Sequence, residues 1–214
     1  DWGNDYYTFS DTNIEYIWRF LQIVNEKGWL YMGHRSTEWC PRCGTSLSQH
    51  ELSQSGVYQD RADPSLFVRF PLRERHGEAL VAWTTTPWTL PANVAAAVKP
   101  DADYGRRDNG QWVAVARYPD ETFEERVRGS DMVGWRYEGP FDTLGPGEAV
   151  DHRVIPWEEV SLDEGTGIVH IAPGAGQEDF ALGQEHELPV LAPVDESGRF
   201  YPEYGWLHGL STAE

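Results

Sequence analysis

The 214-residue chain has little positive charge, almost no lysine and few cysteines. Aspartate and glutamate number 35 against 17 lysines and arginines, which gives a formal net charge of −18. Such a chain repels polyanions as a whole. If a nucleic acid is a partner, its main binding surface must therefore lie outside this chain. The chain also lacks any apolar run near the roughly 20 residues that cross a bilayer, so no membrane partner is expected.

Two further absences concern the N-terminus and the cysteines. The first five residues contain neither a basic nor an apolar stretch, so no signal peptide is expected. The missing initiator methionine favours a piece of a longer chain. The two cysteines, Cys40 and Cys43, form one Cys-Pro-Arg-Cys pair rather than a disulfide framework, which favours a reducing compartment, the cytoplasm.

The hydrophobic pattern predicts an α+β protein, mostly β, with a small barrel-like domain, flanking helices and an N-terminal helical and linker segment. Apolar residues at helical spacing predict a helix over residues 10–28, within a connecting region that spans residues 1–60. Across residues 61–214, short apolar runs broken by Gly, Pro, Asn and Asp are typical of many short strands. The expected strands are residues 66–70, 79–83, 94–98, 112–116, 150–155, 167–172 and 190–194, and a helix is expected over residues 177–187.

The first segment whose side chains could take part in binding or catalysis is Trp-Thr-Thr-Thr-Pro-Trp-Thr-Leu-Pro-Ala-Asn, at residues 83–93. Its three consecutive threonines follow an expected strand, and two prolines then restrict the backbone. Because hydroxyl groups both donate and accept hydrogen bonds, threonines at a strand end can hold a ribose hydroxyl, a carbonyl group or a water molecule. The alternative is an ordinary turn after a β-branched strand.

The second segment is Gly-Thr-Gly-Ile-Val-His-Ile-Ala-Pro-Gly-Ala-Gly-Gln-Glu-Asp, at residues 165–179. It predicts a strand, a glycine-rich turn and the start of a helix, with His170 near the strand end and Asp179 in the first helical turn. The spacing fits neither the P-loop nor the dinucleotide-binding fingerprint. A packed strand histidine and a helix-capping aspartate are the alternatives.

The two segments together resemble the editing insertion of isoleucyl-tRNA synthetase, a class I enzyme. The resemblance extends to Cys-Pro-Arg-Cys-Gly-Thr at 40–45, Asp-Pro-Ser at 63–65 and Pro-Val-Asp-Glu-Ser-Gly at 193–198, and it is weakest at 105–150. The related valyl and leucyl enzymes carry Thr-Thr-Arg-Pro followed by an acidic residue, whereas Thr86 and Trp88 stand at those places here. The ATP-binding signatures His-Ile-Gly-His and Lys-Met-Ser-Lys-Ser are absent, so the chain is not expected to activate an amino acid by itself.

The resemblance implies hydrolysis of valine mischarged on isoleucine tRNA, with valyl-adenylate as a further substrate. An amino acid site separates isoleucine from valine by only about 1–3 kcal/mol, a general limit for which this enzyme family is itself the standard example, so a second site must remove the errors. The implied partners are the aminoacylated 3′ end of tRNA, valine and the remainder of the synthetase. Editing itself implies no cofactor.

The resemblance also implies roles for individual residues. Asp179 would pair with the substrate ammonium group, and Thr84, Thr85 and Thr86 would act with it on the ester and the attacking water. His170 would limit the depth of the side-chain pocket, with a role as general base as the alternative. The expected substrate-binding residues are Trp83, Thr89, Asn93, Gly174 and Ala175.

The Cys40 and Cys43 pair supplies two of the four ligands of a structural zinc site. His34 and His50 are the nearest further candidates, and neither has a persuasive spacing. The pair therefore predicts a half site that is occupied by zinc only in the parent enzyme, and a zinc site within this chain is the alternative. A redox pair is less favoured because no thioredoxin-like βαβ unit surrounds it. Two other functions stay open: a module that binds aminoacyl-tRNA without cleaving it, and a zinc-ribbon interaction domain.

Overall fold

The computed structural model describes residues 5–60, 62 and 64–213. Asp63 of the Asp-Pro-Ser motif and the first four residues lie outside this description. The chain divides into two units, Asp1–Arg35 and Ser36–Glu214, so the cysteine pair belongs to the second. The boundary expected near residue 60 stays a prediction.

Helix α1, Asp11–Glu26, is the one α-helix of the first unit in the described residues, and it confirms the helix predicted at 10–28. The Ser10 hydroxyl accepts a hydrogen bond from the Asn13 N–H at 3.3 Å, which caps the N-terminus. Gly28, with φ of +70°, follows the C-terminus in a left-handed conformation. None of the described helices is long and apolar enough to cross a membrane.

The second unit contains ten short strands, three short α-helices and four 3-10 helices in its described residues. The strands are β1 Trp39–Cys40, β2 Thr45–Ser46, β3 Leu66–Pro71, β4 Ala79–Thr84, β5 Ala95–Val98, β6 Asp103–Arg106, β7 Gln111–Ala114, β8 Glu125–Arg128, β9 Arg153–Pro156 and β10 Ile168–Ile171. The α-helices are α2 Gln49–Leu52, α3 Gly129–Met132 and α4 Gln177–Glu185. The 3-10 helices are Pro87–Ala92, Val115–Arg117, Gly145–Ala149 and Pro202–Leu207.

The described strands form three sheets. One has the order β3-β4-β7-β6-β8, one has the order β10-β5-β9, and β1 and β2 form a hairpin. The expected α+β class is confirmed, and both larger sheets are open rather than closed into a barrel in the described residues, with β3 and β8 at the edges of the larger one.

The core lies mainly against β4 and β5. Strand β4 is buried along almost its whole length, as its unbroken apolar sequence Ala-Leu-Val-Ala-Trp predicts for a strand covered on both faces. Strand β5 consists of Ala95, Ala96, Ala97 and Val98, all fully buried, and these small side chains allow close packing. Antiparallel pairing places His170 of β10 opposite Ala96 of β5.

Two features of the structure differ from the strand predictions. Residues 190–194 do not form a strand, and the described pairing there is an isolated bridge between Val194 and Phe200. The short strands β1 and β2, and strands β6 and β8, were in contrast not predicted. The sequences of β6 and β8, Asp-Tyr-Gly-Arg and Glu-Arg-Val-Arg, carry charged residues that pair across the two strands, such as Arg106 with Glu125 at 3.4 Å.

Candidate functional site

A cavity of about 310 Å³ opens where the ends of β4 and β10 meet the start of α4. Both sequence segments contribute to it, although they are about 80 residues apart in the chain. The lining residues are Trp83, Thr84, Thr85, Thr86, Thr89, Ser161, Glu164, Gly165, Gly167, Val169, His170, Ala175, Gly176 and Asp179. The structure therefore brings together eight of the ten predicted residues, all except Asn93 and Gly174.

The threonine segment forms one side of the cavity. Strand β4 ends at Thr84, whose buried hydroxyl accepts a hydrogen bond from the Thr86 N–H at 3.1 Å and lies 3.4 Å from the Thr86 hydroxyl. Pro87 then begins the 3-10 helix, where its fixed φ is tolerated. Thr85 and Thr86 are exposed residues of the cavity lining, so a ligand in the cavity can contact them.

His170 is 8% exposed and both of its ring nitrogens have partners. Its Nε2 atom lies 2.7 Å from the Thr89 hydroxyl, and its Nδ1 atom lies 3.1 Å from the side-chain amide of Asn93. Burial lowers the pKa of His170 to about 4, because desolvation disfavours the charged imidazolium. His170 is therefore neutral at pH 7.

Asn93 lies behind His170 rather than at the cavity surface. It is 2% exposed, it donates to the Ala95 carbonyl at 2.9 Å, and it accepts from the Tyr137 hydroxyl at 2.8 Å. Asn93 thus supports the cavity from within the core. We call Thr89, Asn93, Tyr137 and His170 the histidine wall.

Asp179 occupies the first turn of α4 and is half-buried. Its Oδ2 atom accepts a hydrogen bond from the Ala172 N–H at 2.8 Å, which fixes one oxygen of the carboxylate. Burial raises the pKa of Asp179, the Ala172 N–H opposes that rise, and the charge of Glu178 adds to it. A cation beside this carboxylate would offset the cost of its desolvation. We call Ala172, Ala175, Gly176 and Asp179 the aspartate wall.

The lining of the cavity is acidic. It contains the carboxylates of Asp179 and Glu164, whereas lysine and arginine are absent from the described lining residues. Together with neutral His170, this composition suits a ligand that carries a positive charge. Sequence reasoning missed Glu164 and Ser161, although the acidic turn directly before the Gly-Thr-Gly motif was a readable signal.

Two glycines of the second segment are required by close packing. A Cβ atom at Gly165 would lie 2.9 Å from the Trp83 ring, so this glycine lets Trp83 pack against the segment. A Cβ atom at Gly174 would overlap the carbonyl oxygen of Leu191. Gly174 is thus held in the turn by backbone packing and does not line the described cavity, unlike its neighbour Ala175.

Arg117 holds the loop that carries Ser161 and Glu164. Its guanidinium donates to the carbonyls of Leu162 at 3.3 Å, Asp163 at 2.6 Å and Gly165 at 3.1 Å. These three contacts fix the loop at the mouth of the cavity. Sequence reasoning had assigned no element or role to this arginine.

Cys40 is the last residue of β1 and Cys43 lies in the turn between β1 and β2, and both are free thiols. The Cys43 N–H donates to Cys40 Sγ at 3.4 Å and lowers the pKa of that thiol, whereas Cys40 raises the pKa of Cys43. The described residues contain no group of three or more His, Cys, Asp or Glu side chains placed to hold a metal. Two thiolates fit half of a zinc site, and the half site stays a prediction.

Comparison with known proteins relates the chain to one family. Residues 1–133 match the family model for tRNA synthetases class I (I, L, M and V). Isoleucine–tRNA ligases of Methanoculleus marisnigri and Thermococcus kodakarensis are 43% and 40% identical to the chain over 96% of its length. The chain spans about a fifth of the length of these relatives, 20% and 21%.

Among solved structures, the chain is similar to the editing domain of the P. knowlesi cytosolic leucyl-tRNA synthetase. The identity is 12% and the TM-score is 0.47, over 61% of this chain and 64% of that one. The sequence match over residues 1–133 and the relatives that align along nearly the whole chain agree with each other. The chain therefore belongs to the class I tRNA synthetases of the isoleucine, leucine, methionine and valine group.

Proposed function

We propose that this chain is an editing module that hydrolyses valine esterified to the 3′ end of isoleucine tRNA. The observation that carries the proposal is the cavity of about 310 Å³ that gathers the threonine segment, His170 and Asp179. The identity of the relatives as isoleucine–tRNA ligases supports isoleucine tRNA as the partner. The remainder of the synthetase would supply the main tRNA-binding surface, since the net charge of −18 opposes polyanions.

Asp179 is proposed to bind the α-ammonium group of the aminoacyl ester. One of its oxygens is fixed by the Ala172 N–H at 2.8 Å, so the other is oriented for a ligand. An ion pair with an ammonium group is a charge-assisted hydrogen bond, which selects aminoacyl esters over simple esters. The second carboxylate, that of Glu164, adds to the negative potential of the cavity.

Water is proposed as the nucleophile. Water attacks the ester carbonyl, the bond to the ribose oxygen breaks, and the proton of the water passes to that oxygen, which gives free valine and a tRNA hydroxyl. Thr85 and Thr86 are exposed residues of the cavity lining, and their hydroxyls both donate and accept, so they can orient the water and polarise the carbonyl. Positioning and polarisation suffice for an ester that is already activated, and no cofactor is required.

His170 is proposed to limit the size of the substrate rather than to act as a base. Both ring nitrogens are engaged, by Thr89 and Asn93, and its lowered pKa of about 4 makes it a weak base at pH 7. A fixed imidazole excludes the larger isoleucine side chain by overlap, which discriminates more strongly than a lost contact does. Valyl-adenylate, which carries the same ammonium group, is proposed as a further substrate of the cavity.

The free thiols Cys40 and Cys43 are consistent with a reducing compartment, and we propose a cytoplasmic location. Deacylation of valyl-tRNA of isoleucine specificity by the 214-residue chain tests the proposed function. We expect release of free valine above the rate of spontaneous hydrolysis. Binding of the aminoacyl-tRNA without any release would instead support a non-hydrolytic binding module.

A further inference from the structure

The hydrogen bonds of the histidine wall form one continuous series from the core to the cavity. Tyr137 contacts Asn93, Asn93 contacts His170, and His170 contacts Thr89, at distances of 2.8, 3.1 and 2.7 Å. Tyr137, at the far end of the series, is not one of the residues that line the cavity and is fully buried. It belongs to neither of the sequence segments.

The direction of each hydrogen bond in this series follows from the backbone carbonyls that Asn93 and Thr89 contact at the two ends of the series. The Ala95 carbonyl can only accept, so the atom 2.9 Å from it is the amide nitrogen of Asn93, which leaves the amide oxygen to accept from Tyr137. The same amide nitrogen then donates to His170 Nδ1. His170 Nδ1 must therefore carry no proton.

The other end of the series leads to the same result. The Thr89 hydroxyl donates to the Thr86 carbonyl at 2.8 Å, so its oxygen must accept from His170 Nε2. His170 is thus the neutral tautomer with its proton on Nε2. Two independent contacts assign the same tautomer, one on each ring nitrogen.

The Tyr137 ring is itself rigidly held. It stacks on Phe70 at 5.0 Å between ring centroids with 12° between the planes, and the His152 ring packs against it at 5.2 Å. The backbone N–H of Tyr137 also donates to the His152 backbone carbonyl at 3.2 Å. Such a ring presents its hydroxyl at a fixed point in the core, and it can therefore fix the amide it contacts.

We propose that Tyr137 is a positioning residue for substrate size, which through Asn93 holds the His170 ring as its Nε2–H tautomer against the cavity. The role in size selection rests on the proposed function. Without the Tyr137 hydroxyl, the Asn93 amide oxygen is left without its donor at a site that is 2% exposed. The amide then shifts, and His170 loses the partner that fixes its Nδ1 atom.

The first test is ¹⁵N NMR of the histidine side chains in the whole 214-residue chain. In the wild-type protein we expect His170 as the Nε2–H tautomer, and a protonated Nδ1 would overturn the proposal without any variant. In Tyr137→Phe only the Thr89 contact still favours a proton on Nε2, so we expect a minor share of the Nδ1–H tautomer to appear beside the Nε2–H form. A merely structural role of Tyr137 would leave this signature unchanged.

The second test is the ratio of valyl-tRNA to isoleucyl-tRNA hydrolysis. For Tyr137→Phe we expect this ratio to fall about tenfold, a change typical of one lost buried hydrogen bond. Tyr204→Phe is the matched control, because Tyr204 is equally buried but lies in a different hydrophobic cluster. We expect its ratio and its His170 tautomer to match the wild type.

The outcomes separate the two proposals. If the wild-type chain releases no valine, the proposed function fails, while the tautomer measurements still decide whether Tyr137 positions His170. If the wild type releases valine but a folded Tyr137→Phe protein keeps both the tautomer and the ratio, the positioning role is overturned alone.

Discussion

The aspartate wall and the histidine wall face the same cavity with opposite kinds of polar chemistry. Asp179 is half-buried, one of its oxygens is fixed by a backbone N–H, and burial raises its pKa. His170 is almost fully buried, both ring nitrogens have partners, and burial lowers its pKa to about 4. An incompletely compensated charge binds a ligand, whereas a satisfied neutral ring forms a rigid boundary. The difference supports binding of the ligand by the aspartate wall and exclusion of larger side chains by the histidine wall.

The largest effect is expected from removing the charge of the aspartate wall. Asp179→Asn keeps the shape of the side chain but leaves the substrate ammonium group without a counter-ion. Deacylation of valyl-tRNA should fall by about a hundredfold or more, as expected for the loss of one partner of a buried ion pair. The rate of valine release measures this effect.

Glu178→Gln is the control for that substitution, since Glu178 is exposed and lies in the same helical turn. We expect its rate to stay within about twofold of the wild type, a surface-charge effect. A correctly folded Asp179→Asn protein with the wild-type rate would remove the aspartate wall from substrate binding.

The second effect tests the proposed role of the histidine wall in excluding the larger side chain. His170→Ala removes the ring from the cavity, so isoleucyl-tRNA should become a substrate, with a rise of about a hundredfold in its hydrolysis. Hydrolysis of valyl-tRNA should persist. Parallel deacylation assays on the two charged tRNAs measure the change. Loss of both activities in a folded protein would instead identify His170 as a catalytic group.

The third effect concerns the dependence of stability on pH. The folded pKa of His170, about 4, is below the unfolded value near 6.5, so its contribution is present above pH 6.5 and is lost as the pH falls toward 4. This loss amounts to about 3 kcal/mol in the free energy of unfolding. Denaturant titrations at pH 7 and pH 4 measure it.

His170→Gln serves as the reference in these titrations. Its free energy of unfolding should fall by about 3 kcal/mol less over the same pH range. His152, whose pKa is also lowered by burial, is present in both proteins and cancels in the difference. Identical pH dependences would contradict a buried, neutral His170.

The smallest effect tests the turn that carries the aspartate wall. Gly174→Ala places a Cβ atom against the Leu191 carbonyl and should destabilise the protein by about 1–3 kcal/mol. Gly147→Ala is the control, because the nearest atom to its Cβ would lie at an ordinary 3.4 Å. Equal unfolding midpoints for the two variants would show that the turn adjusts without cost.

Sequence reasoning anticipated the cavity better than the strands around it. The threonines, His170 and Asp179 were readable because each has a distinctive chemistry at the end of a recognisable apolar strand. Strands β6 and β8 were missed because their charged residues pair across the two strands and interrupt the apolar pattern. The strand expected at 190–194 was wrong, since an apolar run alone does not supply a pairing partner.

The roles of the residues that support the cavity from the core could not be predicted from the sequence. Asn93 was predicted to touch substrate, but its polar atoms are committed to Tyr137, Ala95 and His170 in the core. Tyr137 and Arg117 act through contacts between residues more than 40 positions apart, and no local pattern marks them. Long-range hydrogen bonds of this kind depend on the register of the whole fold.

The central claim is that one wall binds the ammonium group while the other excludes a larger side chain. The most direct measurement is the rate at which the 214-residue chain deacylates valyl-tRNA and isoleucyl-tRNA of isoleucine specificity, side by side at pH 7. We predict release of valine well above the spontaneous rate and little release of isoleucine. Equal release of both amino acids, or of neither, would contradict the claim.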